Sequence, residues 1–421
     1  MGFEECVQSL KLQIIYGVAS ISLIFTTFAS CKNRLMSQPL KGVKETLLLT
    51  SALTVMAGAT IAPSLPQIAE VFQDLPSAGM LTKMVFTIPA LVIALTGPFI
   101  GRALDKWGRV RLLIAALLLY GMSGAAPYLL NDLHAILICR AVLGLSVSII
   151  MTATNTLIGD YFAPSERSVF LGLQGVFMAI GGVLFISLGG VLADISWRLP
   201  FLIYLVAFLG APLAYLYLKE VVVDQNQKHS LYRYRPTLRQ IMIFSLAFSG
   251  MLVFYMIPVQ IPFLLREMGI EKNALSGIAI ATTTVFGALV SSFYSKILQR
   301  LSYSKIYVLI FVLGAVGYFI AFSAQTYGIV LLAMGVSGLA FGMLFPNTNM
   351  WLIQESKPHN RGRILGALTF SIFIGQFFSP ILFQPNSNSG SLSFVFLYGA
   401  IFLLIVGVVL QLTYVRKHAR Y

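Results

Sequence analysis

The chain has 421 residues, of which 57% are hydrophobic and 10% charged, with a formal net charge of +14. Soluble domains carry about a quarter charged residues, so lipid is the solvent for most of this chain. The basic excess does not indicate nucleic acid: it is scattered through short polar interruptions and forms no continuous basic or aromatic-interleaved patch. Three widely spaced cysteines, Cys6, Cys31 and Cys139, give neither a disulfide framework nor a CxxC metal site. His134, His229, His359 and His418 fall in loops or at helix ends and form no metal cluster.

Residues 12–30 form the first apolar run. It has three readings: a signal peptide, a thirteenth helix, or a dispensable extension before a start at Met36. The third is preferred, as an accessory hydrophobic stretch within an N-terminal segment, 1–45. Cleavage near Cys31 would place Lys32, Arg34, Lys41 and Lys44 outside, against the positive-inside rule.

Apolar stretches of about twenty residues, the length that crosses a hydrocarbon core, then recur to the end of the chain. Helices are predicted at 46–68, 79–98, 111–130, 134–158, 168–192 and 199–217, and again at 240–264, 275–297, 304–323, 327–353, 363–383 and 391–415. The fold class is thus an all-α polytopic membrane protein with twelve core transmembrane helices in two six-helix bundles, 46–217 and 240–415. A basic linker, 218–239, joins them, and a tail, 416–421, follows. With the segment before the first core helix in the cytoplasm, 23 of the 29 basic residues lie on that side. Only Lys83, Arg198, Arg266 and Lys272 lie opposite, Arg140 lies within a span, and Lys11 is left in the tail. Both core termini are therefore expected in the cytoplasm.

The halves repeat. At an offset of 194, Gly144 meets Gly338, Asn155 meets Asn349, Pro164 meets Pro358, Arg167 meets Arg361, Gly172 meets Gly366 and Gly181 meets Gly375. Both copies run in the same orientation, a parallel repeat.

Between the second and third spans, Gly101, Asp105, Gly108 and Arg109, with basic Lys106 and Arg111, resemble the signature loop of the major facilitator superfamily. The resemblance covers residues 40–417 and implies the major facilitator fold and a secondary transporter, close to the drug and metabolite proton antiporters. It implies that Gly101, Asp105, Gly108 and Arg109 act with Asp160 as a conformational latch against the start of the eleventh helix. At the same offset the second half has Ser295, Gln299, Ser302 and Tyr303, so the latch is one-sided. Arg140 and Gly144 match the family's R-x-x-x-G pattern. Gly172, Gly175, Gly181, Gly182, Gly189 and Gly190 resemble its glycine-rich antiporter helix, with Phe185 and Ile186 replacing the expected Gly-Pro.

A charge inside a span is costly and usually functional, so Arg140 is expected to contact substrate or tune a proton site, with snorkelling as the alternative. No Asp or Glu occupies a mid-membrane position, which argues against an organic cation as cargo. The neutral interior set, Asn155, Gln174, Tyr255, Gln260, Asn347, Asn349 and Gln376, supplies the other candidate substrate or coupling residues. Ordinary helix-to-helix hydrogen bonding competes for each. Pro63, Pro66, Pro258, Pro262 and Pro346 are expected to break helix regularity. The expected activity is efflux of a neutral, zwitterionic or anionic small organic solute, driven by the proton gradient. No cofactor, catalytic residue, metal or nucleic acid is expected. The chain is expected to act as a monomer among lipids in a bacterial inner membrane. A symporter, a uniporter and a non-transporting lipid-handling or sensing protein are the alternatives.

Overall fold

A computed structural model describes residues 41–220, 235–356, 361–384 and 391–412. The accessory stretch at 12–30, most of the linker and the 416–421 tail lie outside the described residues. Among the described residues, twelve helices long and apolar enough to cross a membrane follow in order. The first six are α1 (Gly42–Val71), α2 (Ala78–Trp107), α3 (Arg109–Leu129), α4 (Leu133–Tyr161), α5 (Val169–Ile195) and α6 (Leu199–Tyr217). The second six are α7 (Leu238–Glu267), α8 (Asn273–Ser292), α9 (Tyr303–Phe322), α10 (Tyr327–Gln354), α11 (Arg361–Leu382) and α12 (Ser393–Leu410).

Helix starts follow local chemistry. Asp132 accepts from the backbone N–H of His134 at 3.2 Å and Ala135 at 3.1 Å, capping α4, and these bonds hold its carboxyl below the usual range. Thr237 and Gln240 form a reciprocal capping box at α7.

The proline positions translate into breaks one turn earlier, because a proline offers no N–H to the carbonyl four residues back. α1 loses its α-helical path after Ala59, ahead of Pro63 and Pro66; α7 breaks at Tyr255, ahead of Pro258; α10 breaks between Phe341 and Leu344, ahead of Pro346. The Gly342 carbonyl, left free by Pro346, accepts from Ser291 Oγ at 2.5 Å on α8.

The halves pack alike. α1 lies on α5 as α7 lies on α11, α2 on α4 as α8 on α10, and α3 on α6 as α9 on α12. The offset of 194 reappears in the contacts themselves. A Cβ added to Gly144 would come within 2.7 Å of Pro89 backbone, and one added to Gly338 within 2.5 Å of the Thr283 carbonyl, 194 residues on from Pro89. Close backbone approach at these crossings is what glycine permits. A tyrosine brace also repeats: Tyr120 on α3 donates to the Leu53 carbonyl of α1 at 2.7 Å, and Tyr318 on α9 to the Val253 carbonyl of α7 at 2.5 Å.

Between halves, α2 packs on α11 and α5 on α8. The face that carries the start of α1 and the end of α6 is called the basic face here, and the opposite one the far face.

Candidate functional site

The two halves are closed at the far face and apart at the basic face. On α5, Gly190 lies against Asn273 and Ala274 of α8, whereas Gly172 and Gly175, toward the basic face, have nothing within 4 Å of an added Cβ. On α11, Gly362 and Gly366, also toward the basic face, have nothing within 4 Å of an added Cβ. Gly97 and Gly101 on α2 are likewise open. On the far-face halves of α5 and α8, Phe185, Ile186, Ala279 and Ile280 are buried.

Far-face closure rests on polar links across the halves. The Asp194 carboxylate at the end of α5 accepts from the N–H groups of Asn273 at 2.5 Å and Ala274 at 3.3 Å, capping α8. Asn273 Nδ2 donates to the Ala193 carbonyl at 3.1 Å, and Glu70 pairs with Arg266 at 2.6 Å. Behind them Phe86 of α2 meets Tyr255 of α7, ring centroids 5.4 Å apart. This aromatic pair forms the floor of the cleft that opens to the basic face.

Of the predicted substrate residues, Asn155 and Gln174 meet in the first half. Gln174 Nε2 donates to Ser51 Oγ at 2.8 Å and to Asn155 Oδ1 at 3.4 Å. Asn155 is exposed. Tyr255 sits at the floor. Gln260 and Gln376 are buried in the second half; Gln260 Nε2 donates to the Phe383 carbonyl at 2.8 Å, and the side-chain carbonyl oxygen of each glutamine is buried without a partner. Asn349 binds the Phe345 carbonyl of its own helix at 2.9 Å. Asn347 is bracketed instead: it accepts from the Tyr294 hydroxyl and donates to the Tyr303 carbonyl, both at 3.0 Å, which ties α10 to the α8–α9 connection.

Arg140 is neither snorkelling nor facing open space. It is fully buried. Its Nε donates to the Val85 carbonyl at 2.9 Å, its Nη1 to the Tyr204 hydroxyl at 2.9 Å, and its Nη2 to the Ala57 carbonyl. Both carbonyls lack a helical partner for sequence reasons: Pro89 stands four residues after Val85, and α1 loses its helical path just beyond Ala57. The guanidinium therefore braces α1, α2, α4 and α6, correcting the expectation of a cavity arginine.

Lys83, sorted by sequence with the residues opposite the basic side, lies inside α2 and is 4% exposed. Arg140 is not the sole charge within a span.

The signature segment is mostly helix. Gly101 to Trp107 continue α2, and only Gly108, at φ 94°, makes the turn into α3. Gly101 meets nothing and needs no special dihedral. Asp105, Arg109 and Asp160 do come together: Arg109 pairs with Asp105 at 3.4 Å and with Asp160. Glu220, at the start of the linker, joins them unannounced by the sequence. Its carboxylate accepts from the backbone N–H of Arg109 at 2.5 Å and Val110 at 3.1 Å, and so caps α3. Neighbouring Lys219 is fixed by Tyr161, which accepts from its N–H at 2.6 Å and donates to its carbonyl at 2.9 Å. Glu220→Ala is expected to cost about 1 kcal/mol of stability, as a lost cap does. It is also expected to raise hydrogen exchange at Arg109 and Val110 above wild type, and unchanged exchange there would refute the cap.

Among the described residues no group of His, Cys, Asp or Glu is placed to hold a metal. Comparison with known proteins agrees with the twelve-helix geometry. The chain is 21% identical over 389 residues to multidrug resistance protein 2 of Bacillus subtilis, covering 88% of this chain and 95% of that one. It is 25% identical over 240 residues to the 3-(3-hydroxy-phenyl)propionate transporter of Escherichia coli, covering 53% and 60%. The inward-open structure of the E. coli xylose transporter superposes with a TM-score of 0.72 at 17% identity, covering 88% of this chain and 95% of that chain. The family profile of the Major Facilitator Superfamily matches residues 47–380 and again 242–420, and this multi-pass membrane protein is a transporter of that superfamily.

Proposed function

We infer that the protein moves a small neutral, zwitterionic or anionic organic solute by alternating access, with the proton gradient driving efflux. The observation that carries this is the cleft between the halves: sealed at the far face by Asp194, Asn273, Glu70 and Arg266, and open at the basic face from the Phe86–Tyr255 floor outward. Two bundles related by an internal repeat and joined through α2–α11 and α5–α8 can rock about that floor. The distribution of Lys and Arg supports a cytoplasmic basic face, so this is the inward-facing state. Likeness to multidrug resistance protein 2 favours export.

Arg140 is occupied by protein groups. Three other features support this cargo: the absence of mid-membrane carboxylates in the sequence, the neutral Ser51–Gln174–Asn155 chain, and the buried Lys83. Likeness to a transporter of an aromatic carboxylate is in keeping with it. Purified protein in proteoliposomes, given an imposed pH gradient and a panel of anionic, neutral and cationic solutes, is expected to move members of the first two groups only. Flux confined to cations would sink the cargo reading, and flux indifferent to the gradient would sink proton coupling.

A further inference from the structure

Lys83 has no evident reason to be charged where it stands. It lies within α2 at 4% exposure, and its ammonium sits 5.2 Å from the ring centroid of Phe263 on α7, across the closed far-face interface. No carboxylate among the described residues pairs with it. The nearest cation along α7, Arg266, one turn beyond Phe263, is already matched by Glu70 at 2.6 Å, and Arg140 is matched by neutral acceptors. A ring face offsets part of the cost of burying an ammonium. It does not replace a counter-ion, and a buried unpaired charge is among the costliest groups a protein holds.

Two further polar atoms on the outer segments of α1 and α2 lack partners. The Thr82 hydroxyl, next to Lys83 on α2 and fully buried, makes no hydrogen bond, and Gln67 Oε1 is buried and unpaired as well. Gln67 belongs to the outer segment Leu65–Val71 of α1, which packs on both α2 and the outer part of α7. Buried polar groups in proteins are almost always satisfied, so each of these atoms calls for a partner that the protein itself does not supply in this conformation.

We propose that the far-face junction of α1, α2 and α7 is a binding site for the acidic group of a small organic anion, with Lys83 as its counter-ion. Lys83 supplies three N–H donors and the charge, and Phe263 an apolar wall suited to the hydrocarbon part. Because α7 covers Lys83 in this conformation, the anion reaches the lysine only when α2 and α7 part. An anion paired with Lys83 then removes the penalty for closing again. The proposal rests on reading the chain as a carrier of small organic solutes and names the chemistry that one of its sites recognises.

The test is equilibrium dialysis of purified full-length protein against radiolabelled benzoate, with benzamide as the uncharged competitor. Wild type is expected to bind benzoate saturably and benzamide not to compete. Lys83→Met is expected to weaken binding by at least about tenfold, as loss of one partner of a desolvated charge pair does. Lys83→Arg, which keeps the charge and the donors, is expected to recover it to within about threefold. Without ligand, Lys83→Met is expected to melt at or above the wild-type temperature, since it removes an unpaired buried charge.

Wild type that binds no benzoate, competition by benzamide equal to benzoate, or undiminished binding by Lys83→Met would each overturn the site. So would a ligand-free Lys83→Met protein that melts well below wild type, because the lysine would then be structural. The site and the transport reading fail separately. Lys83-dependent binding in a protein that moves no solute in proteoliposomes would leave the site and remove the transport function. Flux of neutral solutes with no benzoate binding would do the reverse.

Discussion

Arg140→Gln is expected to cost the folded first bundle, not transport alone. Arg140 satisfies the Val85 carbonyl, which Pro89 deprives of its helical donor, and shares the Ala57 carbonyl with the Tyr204 hydroxyl, 2.9 Å away. A hydrogen bond to a charged group contributes about 1.5–3 kcal/mol, and a buried acceptor left unmade costs a further ~1–3 kcal/mol. Tyr204 keeps part of the Ala57 interaction, so the total should fall near 3–5 kcal/mol, a loss that places the variant among the severe class of point mutations. Glutamine is too short to reach both carbonyls with the fan of donors an arginine carries. Thermal unfolding in detergent is expected to show a clear drop for Arg140→Gln and a smaller one for Arg140→Lys, which keeps the charge and can hold one acceptor. A Gln variant with the wild-type melting temperature and no transport would reverse this assignment and return Arg140 to the substrate.

Much of the architecture was legible in the sequence because a bilayer imposes its own length and composition on the chain. The twelve spans differ from their predicted bounds mainly at ends such as that of α2, which runs on to Trp107 as helix where a loop was expected. The repeat was legible because its marks are glycines at close crossings: Gly144 on Pro89 and Gly338 on Thr283 are the same contact made twice. What the sequence hid are partners supplied by distant backbone. Glu220 caps Arg109 and Val110 from 111 and 110 residues away, and no local pattern marks it. The role of Arg140 was half visible, since Pro89 announces an orphaned Val85 carbonyl, but only packing reveals which donor answers it. The burial of Lys83, which by sequence sorts with the residues opposite the basic side, was hidden because it stands five residues into its helix, where hydropathy cannot separate a residue at the membrane surface from one enclosed by a neighbouring half. The polar set divided the same way. Asn155 and Gln174 meet across two helices of one bundle, whereas Asn347 turned out to hold the α8–α9 connection that replaces the charged signature segment of the first half.

Gly190→Val is expected to stop transport in a protein that remains folded, by holding the far face open. A Cβ at Gly190 would come within 2.8 Å of the Asn273 carbonyl oxygen and 3.0 Å of the Ala274 Cα, both backbone atoms of α8 that no rotamer change can move. The collision is between halves, so the two bundles relieve it by staying apart, at the expense of the Asp194 cap and the Asn273–Ala193 bond. Gly144→Val makes the contrasting case. Its added Cβ would meet Pro89 inside the first bundle, where only distortion of α2 against α4 gives relief, and overpacking of this kind costs about 1–3 kcal/mol or more. Gly144→Val is thus expected to lower the melting temperature, and Gly190→Val to leave it near wild type while reducing flux by at least about tenfold through a shift in the conformational population. The position is read with Ser276→Cys, one turn along α8 from Asn273 and 3% exposed in the closed far face. In the wild-type background a membrane-impermeant maleimide should label it slowly; with Gly190→Val added, labelling should be fast and independent of solute. Wild-type flux in Gly190→Val together with slow labelling would show that the α5–α8 crossing can part without consequence, and the far-face closure described here would then not be the step that limits transport.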